Sequence, residues 1–174
     1  TPAHRSHDPQ DTMDILEHPN PALKQHAADV DPKTDASLPG LVHSMAKAMY
    51  DAPGVGLAAT QVGVQKRVIV IDVDDALIAL CNPRIVETSA ETEVDDEGCL
   101  SFPGVYIPIE RPSRCVCEAL DLKGKPVRLK GEGLFARVLQ HETDHLDGLL
   151  IIDRATPEER RAALRRYREA NENR

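Results

Sequence analysis

Two histidines one helical turn apart carry the sharpest chemical signal in this sequence. His141 and His145 flank Glu142 in a His-Glu-x-x-His arrangement, within a run whose apolar spacing predicts a helix from Leu134 to about Leu146. Both imidazoles then share one helix face and can bind a divalent cation, with Glu142 beside it as a general base. The alternative, a surface helix with scattered polar residues, is disfavoured by the apolar neighbours on the same face.

The four cysteines offer one further ligand candidate. Two disulfides are a weak interpretation, because the first residues lack the apolar stretch of a secretory signal. We expect Cys81, Cys115 and Cys117 to be buried free thiols. Cys99 lies in a polar, glycine-flanked setting and is a candidate ligand or nucleophile. Catalytic sites usually take three protein ligands and keep one position open for water, so Cys99 is the best remaining third ligand.

The helices and strands that must position these residues are predicted from the periodicity of apolar residues and from the residues that end such elements. Apolar spacing predicts a helix over Ser37–Tyr50, with Ser37 as its N-cap. Thr156 begins a capping box and a third predicted helix, whose apolar stripe comprises Ala163, Leu164, Tyr167 and Ala170. β-Branched and alternating runs predict strands at Arg67–Val73, Leu77–Cys81 and Ile85–Glu93, and a hairpin formed by Arg114–Leu122 and Pro126–Lys130.

Strands that precede helices, rather than alternating with them, favour an α+β fold. We expect small antiparallel or mixed sheets packed around a central metal-binding helix, with a C-terminal helix. The 174 residues predict a single domain, with a mobile tail at 1–12, a catalytic core at 13–153 and a basic C-terminal helix at 156–172.

Composition excludes several classes of protein. The net charge of −8 and the aromatic content of 3% argue against a nucleic-acid-binding body, including a DNA-binding one. No run approaches the ~18 apolar residues that a membrane span needs. Residues 1–153 carry 14 basic and 25 acidic side chains, whereas residues 154–174 carry seven Arg and four Glu. We expect the basic end to be a solvated helix face by default.

Three motifs occur in an order that resembles the signature set of peptide deformylases. They are Gly54-Val55-Gly56-Leu57-Ala58-Ala59-Thr60-Gln61, Glu97-Gly98-Cys99-Leu100-Ser101 and His141-Glu142-Thr143-Asp144-His145. The resemblance covers about residues 13 to 153. It implies an enzyme that removes the formyl group from the formylmethionine of newly made polypeptides and releases formate.

The resemblance also implies roles for individual residues. Cys99, His141 and His145 would be the metal ligands and Glu142 the general acid–base. The side-chain amide of Gln61 and the backbone N–H of Leu100 would donate to the oxyanion. The metal would be Fe²⁺, with Zn²⁺, Co²⁺ or Ni²⁺ as substitutes that also suit such a site. The substrates would be N-formylmethionyl nascent peptides, in the cytoplasm of a bacterium, with an organellar origin left open. For an enzyme with such substrates, the alternative to a solvated C-terminal helix is a weak contact of its basic face with the ribosome.

Substrate contacts are a further expectation, and each has a plain alternative. Gly54 and Gly56 would let a peptide backbone approach closely, although Gly54 also suits an ordinary turn. Val55, Leu134 and Val138 would wall an apolar methionine pocket, with core packing as the alternative for the two helix positions. We expect Arg137 to lie at the rim of the pocket, with an ordinary exposed arginine as the alternative. Asp144 and Arg111 are expected to support the helix that carries the ligands, with a surface ion pair as the alternative.

Two other functions compete with deformylation. A zinc endopeptidase would use the same histidine pair but does not explain Cys99 and its surroundings. A non-enzymatic metal-binding module would need a fourth protein ligand, and the sequence offers no obvious one.

Overall fold

The computed structural model describes residues 13–172, and the tail predicted at residues 1–12 lies outside them. The described residues form four α-helices: α1 (Leu38–Asp51), α2 (Gly133–Leu146), α3 (Ile151–Arg154) and α4 (Pro157–Glu172). They also form seven strands: β1 (Gly56–Ala58), β2 (Val68–Ile71), β3 (Ile78–Thr88), β4 (Thr92–Cys99), β5 (Phe102–Pro112), β6 (Arg114–Leu120) and β7 (Pro126–Glu132).

The strands form two sheets around helix α2. Five strands pair antiparallel in the order β1-β2-β3-β6-β7, and β4 pairs with β5 as a separate antiparallel hairpin. Helix α2 contacts strands of both sheets. The expected α+β fold around a central helix, with a C-terminal helix, is therefore confirmed.

The core is mostly aliphatic, as the low aromatic content predicts. The inner face of α2 packs on the five-stranded sheet, where Leu139 and Leu146 lie against Ile69 and Ile71. Each such side chain contributes roughly 1.5–3 kcal/mol when fully buried. This packing fixes the rotation of α2, and with it the direction of the two histidines on that helix.

Of the two predicted N-caps, one makes a capping hydrogen bond and the other does not. Thr156 Oγ1 accepts a 3.2 Å hydrogen bond from the backbone N–H of Glu159, so the start of α4 is capped as predicted. Ser37 stands at the N-cap of α1 but makes no capping hydrogen bond. Its hydroxyl donates instead to Asp35 Oδ1, so a local contact takes the place of the cap.

The C-terminal helix packs against the β4–β5 hairpin. Ala163 and Tyr167 are buried, and the Tyr167 ring stacks on Phe102 with a centroid distance of 4.3 Å. Leu164 is partly buried, whereas Ala170 is exposed. The apolar stripe predicted for this helix is therefore wrong at Ala170, because the helix extends past the surface on which it packs.

The strands predicted at 77–81 and 85–93 differ from the structure. Both belong largely to one continuous strand, β3, which ends at Thr88. Asn82 and Pro83 resemble a turn, but Asn82 adopts a positive φ of 52° within the strand. Its side-chain amide bonds the N–H and the carbonyl of Val30, each at 2.8 Å, and this pairing holds an irregularity inside the strand.

The β4–β5 hairpin was not predicted from the sequence. Strand β4 contains the acidic run Glu93–Glu97, and β5 contains Pro103, Pro108 and Pro112. Both features normally argue against strands, but prolines are tolerated on an edge strand. The hairpin β6–β7 across Lys123-Gly124 is confirmed.

Three of the four cysteines are packing residues, as predicted. Cys81, Cys115 and Cys117 are buried free thiols, and burial raises the pKa of Cys81 and of Cys117 to about 11. Within residues 13–172, no helix is both long and apolar enough to cross a membrane.

Candidate metal centre and active site

Strand β4 and helix α2 bring three potential ligands together. Cys99 Sγ lies 3.3 Å from His145 Nε2, which lies 3.2 Å from His141 Nε2. One ligand atom of each of the three residues lies within 4.8 Å of the other two. Helix α2 places the histidines one turn apart, and the end of β4 carries the cysteine to the same point. The predicted ligands therefore form one cluster.

A carboxylate orients the first histidine of the cluster. His141 Nδ1 is 2.9 Å from Glu97 Oε1, which leaves Nε2 directed toward Cys99 and His145. Burial lowers the pKa of His141, but Glu142, Cys99 and Glu97 raise it well above its usual value. The surroundings of this imidazole therefore favour positive charge.

The surroundings of the second histidine favour its neutral form. Burial and the positive charge on His141 lower the pKa of His145 well below its usual value. A neutral imidazole is the form that ligates a metal. One sulfur and two imidazole nitrogens, converging in anionic surroundings, fit a divalent ion of the zinc or iron type.

Glu97 is the hub that supports this cluster. Its carboxylate accepts hydrogen bonds from Arg111 Nε at 2.5 Å and Nη2 at 2.9 Å, and from Arg137 Nη1 at 2.6 Å. Burial by itself would raise the pKa of Glu97, but hydrogen bonds from His141 and Arg111 outweigh it and lower the pKa to about 2. No role for Glu97 was predicted from the sequence, although its position two residues before a candidate ligand cysteine could have indicated one.

Arg111 and Asp144 meet inside the protein. Arg111 Nη1 donates to Asp144 Oδ2 at 3.0 Å, and the Arg111 residue is 4% exposed. Arg154 holds the same carboxylate from the outer side, at 2.8 and 3.0 Å. The expected support of the ligand helix is therefore present, and the alternative of a surface ion pair is wrong.

Arg137 borders the cleft but is not an exposed arginine. Besides Glu97, its guanidinium donates to the carbonyls of Ile109 and Glu93, each at 3.0 Å. The exposed alternative is wrong because Glu97 and these carbonyls hold the charge in the interior. Its side chain ties α2 to both strands of the β4–β5 hairpin.

Glu142 is the one acidic side chain of helix α2 that lines the cleft beside the cluster. It is 5% exposed, and its Oε1 atom has no hydrogen-bond partner among residues 13–172. Burial raises the pKa of Glu142 to about 7, although His141 acts in the opposite direction. A carboxyl group with such a pKa can both accept and donate a proton near neutral pH.

The amide of Gln61 has a defined orientation. The backbone N–H of Ala58 donates to Gln61 Oε1 at 3.0 Å, so Oε1 is the acceptor end. The Nε2 end consequently faces Ser101 Oγ at 3.1 Å and Cys99 Sγ at 3.7 Å. Its hydrogens therefore point toward the candidate metal cluster.

The cluster opens into a cleft of about 890 Å³. Leu134 and Val55 are 55% and 44% exposed, whereas Val138 is buried in the core between α2 and the five-stranded sheet. Every residue predicted to contact substrate lines this cleft: Gly54, Val55, Gly56, Leu134, Arg137 and Val138. Leu100, at the turn between β4 and β5, also lines it.

A buried glutamate beside a Cys/His₂ cluster, in an open cleft on an α+β scaffold, defines a metal-dependent hydrolase. The family model described as polypeptide deformylase matches residues 12–161, and this chain belongs to that family. The protein is therefore a peptide deformylase-type hydrolase, which removes the N-formyl group from the formylmethionine of newly made polypeptides and releases formate.

Curated relatives agree with this assignment. The chain is 50% identical over 136 residues to a peptide deformylase of Acidothermus cellulolyticus, which covers 78% of this chain and 75% of that relative. It is also 50% identical over 139 residues to one of Dictyoglomus thermophilum, covering 80% of this chain and 90% of the relative.

Solved structures share the fold. A peptide deformylase from Legionella pneumophila superposes with a TM-score of 0.87 at 40% identity, covering 93% of this chain and 96% of that one. One from Synechococcus elongatus, in complex with actinonin, gives a TM-score of 0.84 at 39% identity, covering 91% and 90%.

Proposed function

We propose that Glu142 is the general acid–base of deformylation in this protein, and that Cys99, His141 and His145 hold the metal. One observation carries the proposal: a buried carboxylate oxygen without a hydrogen-bond partner among the described residues faces a cleft beside three converging ligand atoms. A carboxylate in that position is free to exchange a proton, whereas a buried glutamate with a purely structural role would have hydrogen-bond partners for both oxygens.

The metal is expected to be Fe²⁺, as the family resemblance implies. A divalent ion bound there supplies positive charge that polarises the formyl carbonyl and makes a water molecule more acidic. The sulfur and imidazole donors equally suit Zn²⁺, Co²⁺ and Ni²⁺. Anaerobic preparation with each ion, followed by metal analysis and a formate assay, tests the assignment. Equal activity with zinc and iron would contradict it.

The protein side chains then carry the proton and stabilise the developing charge. Glu142 accepts a proton from the attacking water as oxygen adds to the formyl carbon. The Gln61 Nε2–H and the Leu100 backbone N–H donate to the oxyanion, and one such donor is worth on the order of 10²–10³ in rate. Glu142 then passes the proton to the leaving amine nitrogen, the C–N bond breaks, and formate is released.

Methionine is expected to lie in the apolar part of the cleft. One wall of it is formed by Val55, Leu134 and Val138. Leu134 is exposed, so packing in the core does not explain an apolar residue at this position. Gly54 and Gly56 leave room for an extended peptide backbone. The peptide then adds to the site as a short strand.

The Glu142→Gln variant tests the central role. We expect unchanged metal content and a fall in formate release by about 10²–10⁴, because the amide cannot take up the proton. Glu132→Gln is the matched control, since Glu132 is an exposed residue next to the start of the same helix. Turnover of Glu142→Gln close to that of the control would contradict the proposal.

A peptide panel separates deformylation from the endopeptidase alternative. Formyl-Met-Ala-Ser, its acetylated form and the unblocked peptide are incubated with the iron-loaded enzyme. We expect formate from the first peptide and no internal cleavage of any of them. Internal cleavage would favour the endopeptidase.

The basic C-terminal segment is proposed to contact the ribosome weakly, in the cytoplasm, as an appendage to a catalytic core at residues 13–153. Tyr167 is buried on Phe102, so deleting the helix would also damage the core. Replacing exposed Arg161, Arg165 and Arg168 with Gln is the cleaner test.

We expect ribosome co-sedimentation of this triple variant to fall, and to fall further as salt increases. A second triple variant, with exposed Lys123, Lys125 and Lys130 changed to Gln, removes the same charge elsewhere. Equal co-sedimentation of both variants with the unmodified protein would contradict the contact.

A further inference from the structure

A cavity of about 550 Å³ lies on the side of helix α2 that faces away from the candidate metal cluster. Thr143 lines it and is two residues from both His141 and His145, so its side chain points roughly 160° around the helix from theirs. Residues of β3 and β5 and the end of α3 form the other walls of this rear cavity. Among residues 13–172, none lines both the rear cavity and the active-site cleft, so the two are separate.

A buried hydroxyl group without a partner lines the rear cavity. Thr143 is 6% exposed, and its Oγ1 atom has no hydrogen-bond partner among the described residues. Buried polar side chains in native proteins normally have at least one such partner. The Thr143 hydroxyl is consequently available to a molecule that occupies the cavity.

The described residues that line the rear cavity carry more positive than negative charge. The cationic ones are Arg67, Arg84, Arg111 and Arg154, and the anionic ones are Glu110, Asp144 and Asp147. This excess of positive charge occurs in a chain whose net charge is −8. The local charge therefore differs in sign from that of the whole protein and favours an anion.

The two aspartates that line the rear cavity are already balanced by arginines. Arg111 and Arg154 both donate to the carboxylate of Asp144. Arg67 Nη1 donates to Asp147 Oδ1 at 2.9 Å. The charge of these aspartates is neutralised within the protein, so they oppose the binding of an anion only weakly.

Two of the arginines keep donors that the protein does not use. The Arg84 side chain is 72% exposed, and its Nη2 atom lies 4.0 Å from Glu118 Oε1, whereas Arg128 holds the same carboxylate at 2.8 Å. Arg154 uses Nε and Nη2 for Asp144, and its Nη1 has no partner in the described part of the chain. Guanidinium donors of this kind bind carboxylate and phosphate groups.

We propose that the rear cavity binds a small organic anion that carries a carboxylate or phosphate group. The free donors of Arg84 and Arg154 bind the charged group, and the Thr143 hydroxyl bonds a further polar atom of the same molecule. Pro83 and Ile85 also line the cavity and contact its carbon skeleton. The volume lies within the range of sites that hold small molecules. The inference does not depend on the proposed catalysis, because none of these residues takes part in it.

The test is a calorimetric titration of the metal-loaded protein at low salt with succinate and with glycerol 3-phosphate. Succinamide and glycerol are their uncharged counterparts. We expect at least one of the two anions to bind with a dissociation constant below about 1 mM, and its uncharged counterpart not to bind. The tighter anion identifies the preferred group, and added salt should weaken its binding. The absence of binding by either anion up to about 10 mM would overturn the proposal.

Variants locate the bound anion. Arg84→Gln should raise its dissociation constant about fivefold, because an exposed charge is lost. Thr143→Val should raise it about threefold, because one hydrogen bond is lost. Arg128→Gln is the matched control, since Arg128 is exposed and pairs with the same Glu118 but does not line the cavity. Formate release from formyl-Met-Ala-Ser should be unchanged in Arg84→Gln, which shows that this variant folds.

An anion bound elsewhere would give a different pattern. Binding at the candidate metal cluster would leave the dissociation constant the same in all three variants as in the unmodified protein. Binding to the general surface charge would weaken equally in Arg84→Gln and Arg128→Gln. Either pattern would overturn the rear site.

Discussion

The Nη1 atom of Arg137 lies 2.6 Å from Oε2 of Glu97, while the other oxygen of that carboxylate contacts His141 Nδ1 at 2.9 Å. Glu97 is thus bonded at the same time to a candidate ligand histidine and to the two arginines that hold its carboxylate. Because Arg111 also reaches Asp144, the hub joins β4, β5 and α2 into one rigid unit. The proposed metal ligands are held by this network rather than by helix α2 alone.

Replacing Glu97 with Gln should weaken both the fold and the metal site. The change leaves Arg111 and Arg137 buried without the charge that balances them, so we expect the free energy of unfolding to fall by about 3–5 kcal/mol. The loss of orientation of His141 should lower metal affinity about 10–100-fold. Urea unfolding and metal titration against a competing chelator measure the two effects.

Glu93→Gln serves as the control for this substitution. Its side chain is exposed on the same strand, and the change keeps the backbone carbonyl that Arg137 bonds. Unaltered metal affinity in Glu97→Gln would show that the hub does not orient His141.

The contribution of Glu97 to stability should depend on pH in a defined direction. Hydrogen bonds in the folded state lower its pKa to about 2, from an unfolded value of 4.5. The folded protein therefore binds fewer protons at this site, and the stabilisation is present above about pH 4.5 and is lost as the pH falls toward 2. The stability difference between the unmodified protein and Glu97→Gln should shrink by about 3 kcal/mol over that window.

Urea unfolding of both proteins between pH 6 and pH 3 checks this sign. A difference that stays constant or grows as the pH falls would contradict the assignment of a lowered pKa to Glu97.

The sequence predicts some parts of this molecule well, because their signals are local. Helix α2, the β6–β7 hairpin and the cap at Thr156 each follow from spacing or turn chemistry within a few residues. The ligand cluster was predictable because two of its members lie on one helix turn. The third, Cys99, was predictable from its polar, glycine-flanked setting and from the motif in which it lies.

The parts that were missed depend on partners distant in the chain. Strand β4 is acidic because its outer face meets solvent, while Glu97 on the inner face is neutralised by Arg111 and Arg137. No local pattern announces such pairing. Asn82 likewise resembles a turn residue in the sequence. Its place inside a strand depends on hydrogen bonds between its side-chain amide and Val30, which is 52 residues away in the chain.

Gly56→Ala should impair catalysis more than stability. A Cβ at Gly56 would lie 2.6 Å from Glu142 Oε2 and 2.9 Å from Val138 Cγ1, so the carboxylate proposed as the general acid–base must shift. We expect kcat to fall more than tenfold, with a loss of stability of about 1–3 kcal/mol from overpacking. Formate release and thermal unfolding measure the two effects.

Gly40→Ala is the matched control for that change. Gly40 lies in helix α1, and a Cβ there would meet no atom of the described residues within 4 Å. This substitution should raise stability by about 0.5–1 kcal/mol and leave kcat unchanged. Equal kcat in both variants would indicate that Glu142 tolerates displacement.

The two arginines that hold Asp144 should differ in importance because they differ in burial. The Arg111 side chain is 5% exposed and that of Arg154 is 46% exposed. Arg154→Ala should therefore lower the free energy of unfolding by less than about 1 kcal/mol, as for a surface pair. Arg111→Ala should lower it by about 3–5 kcal/mol, because it strips a buried partner from Glu97 as well as from Asp144. Urea unfolding of both variants measures the two losses of stability. Near-equal losses would mean that the buried network does not act as a unit.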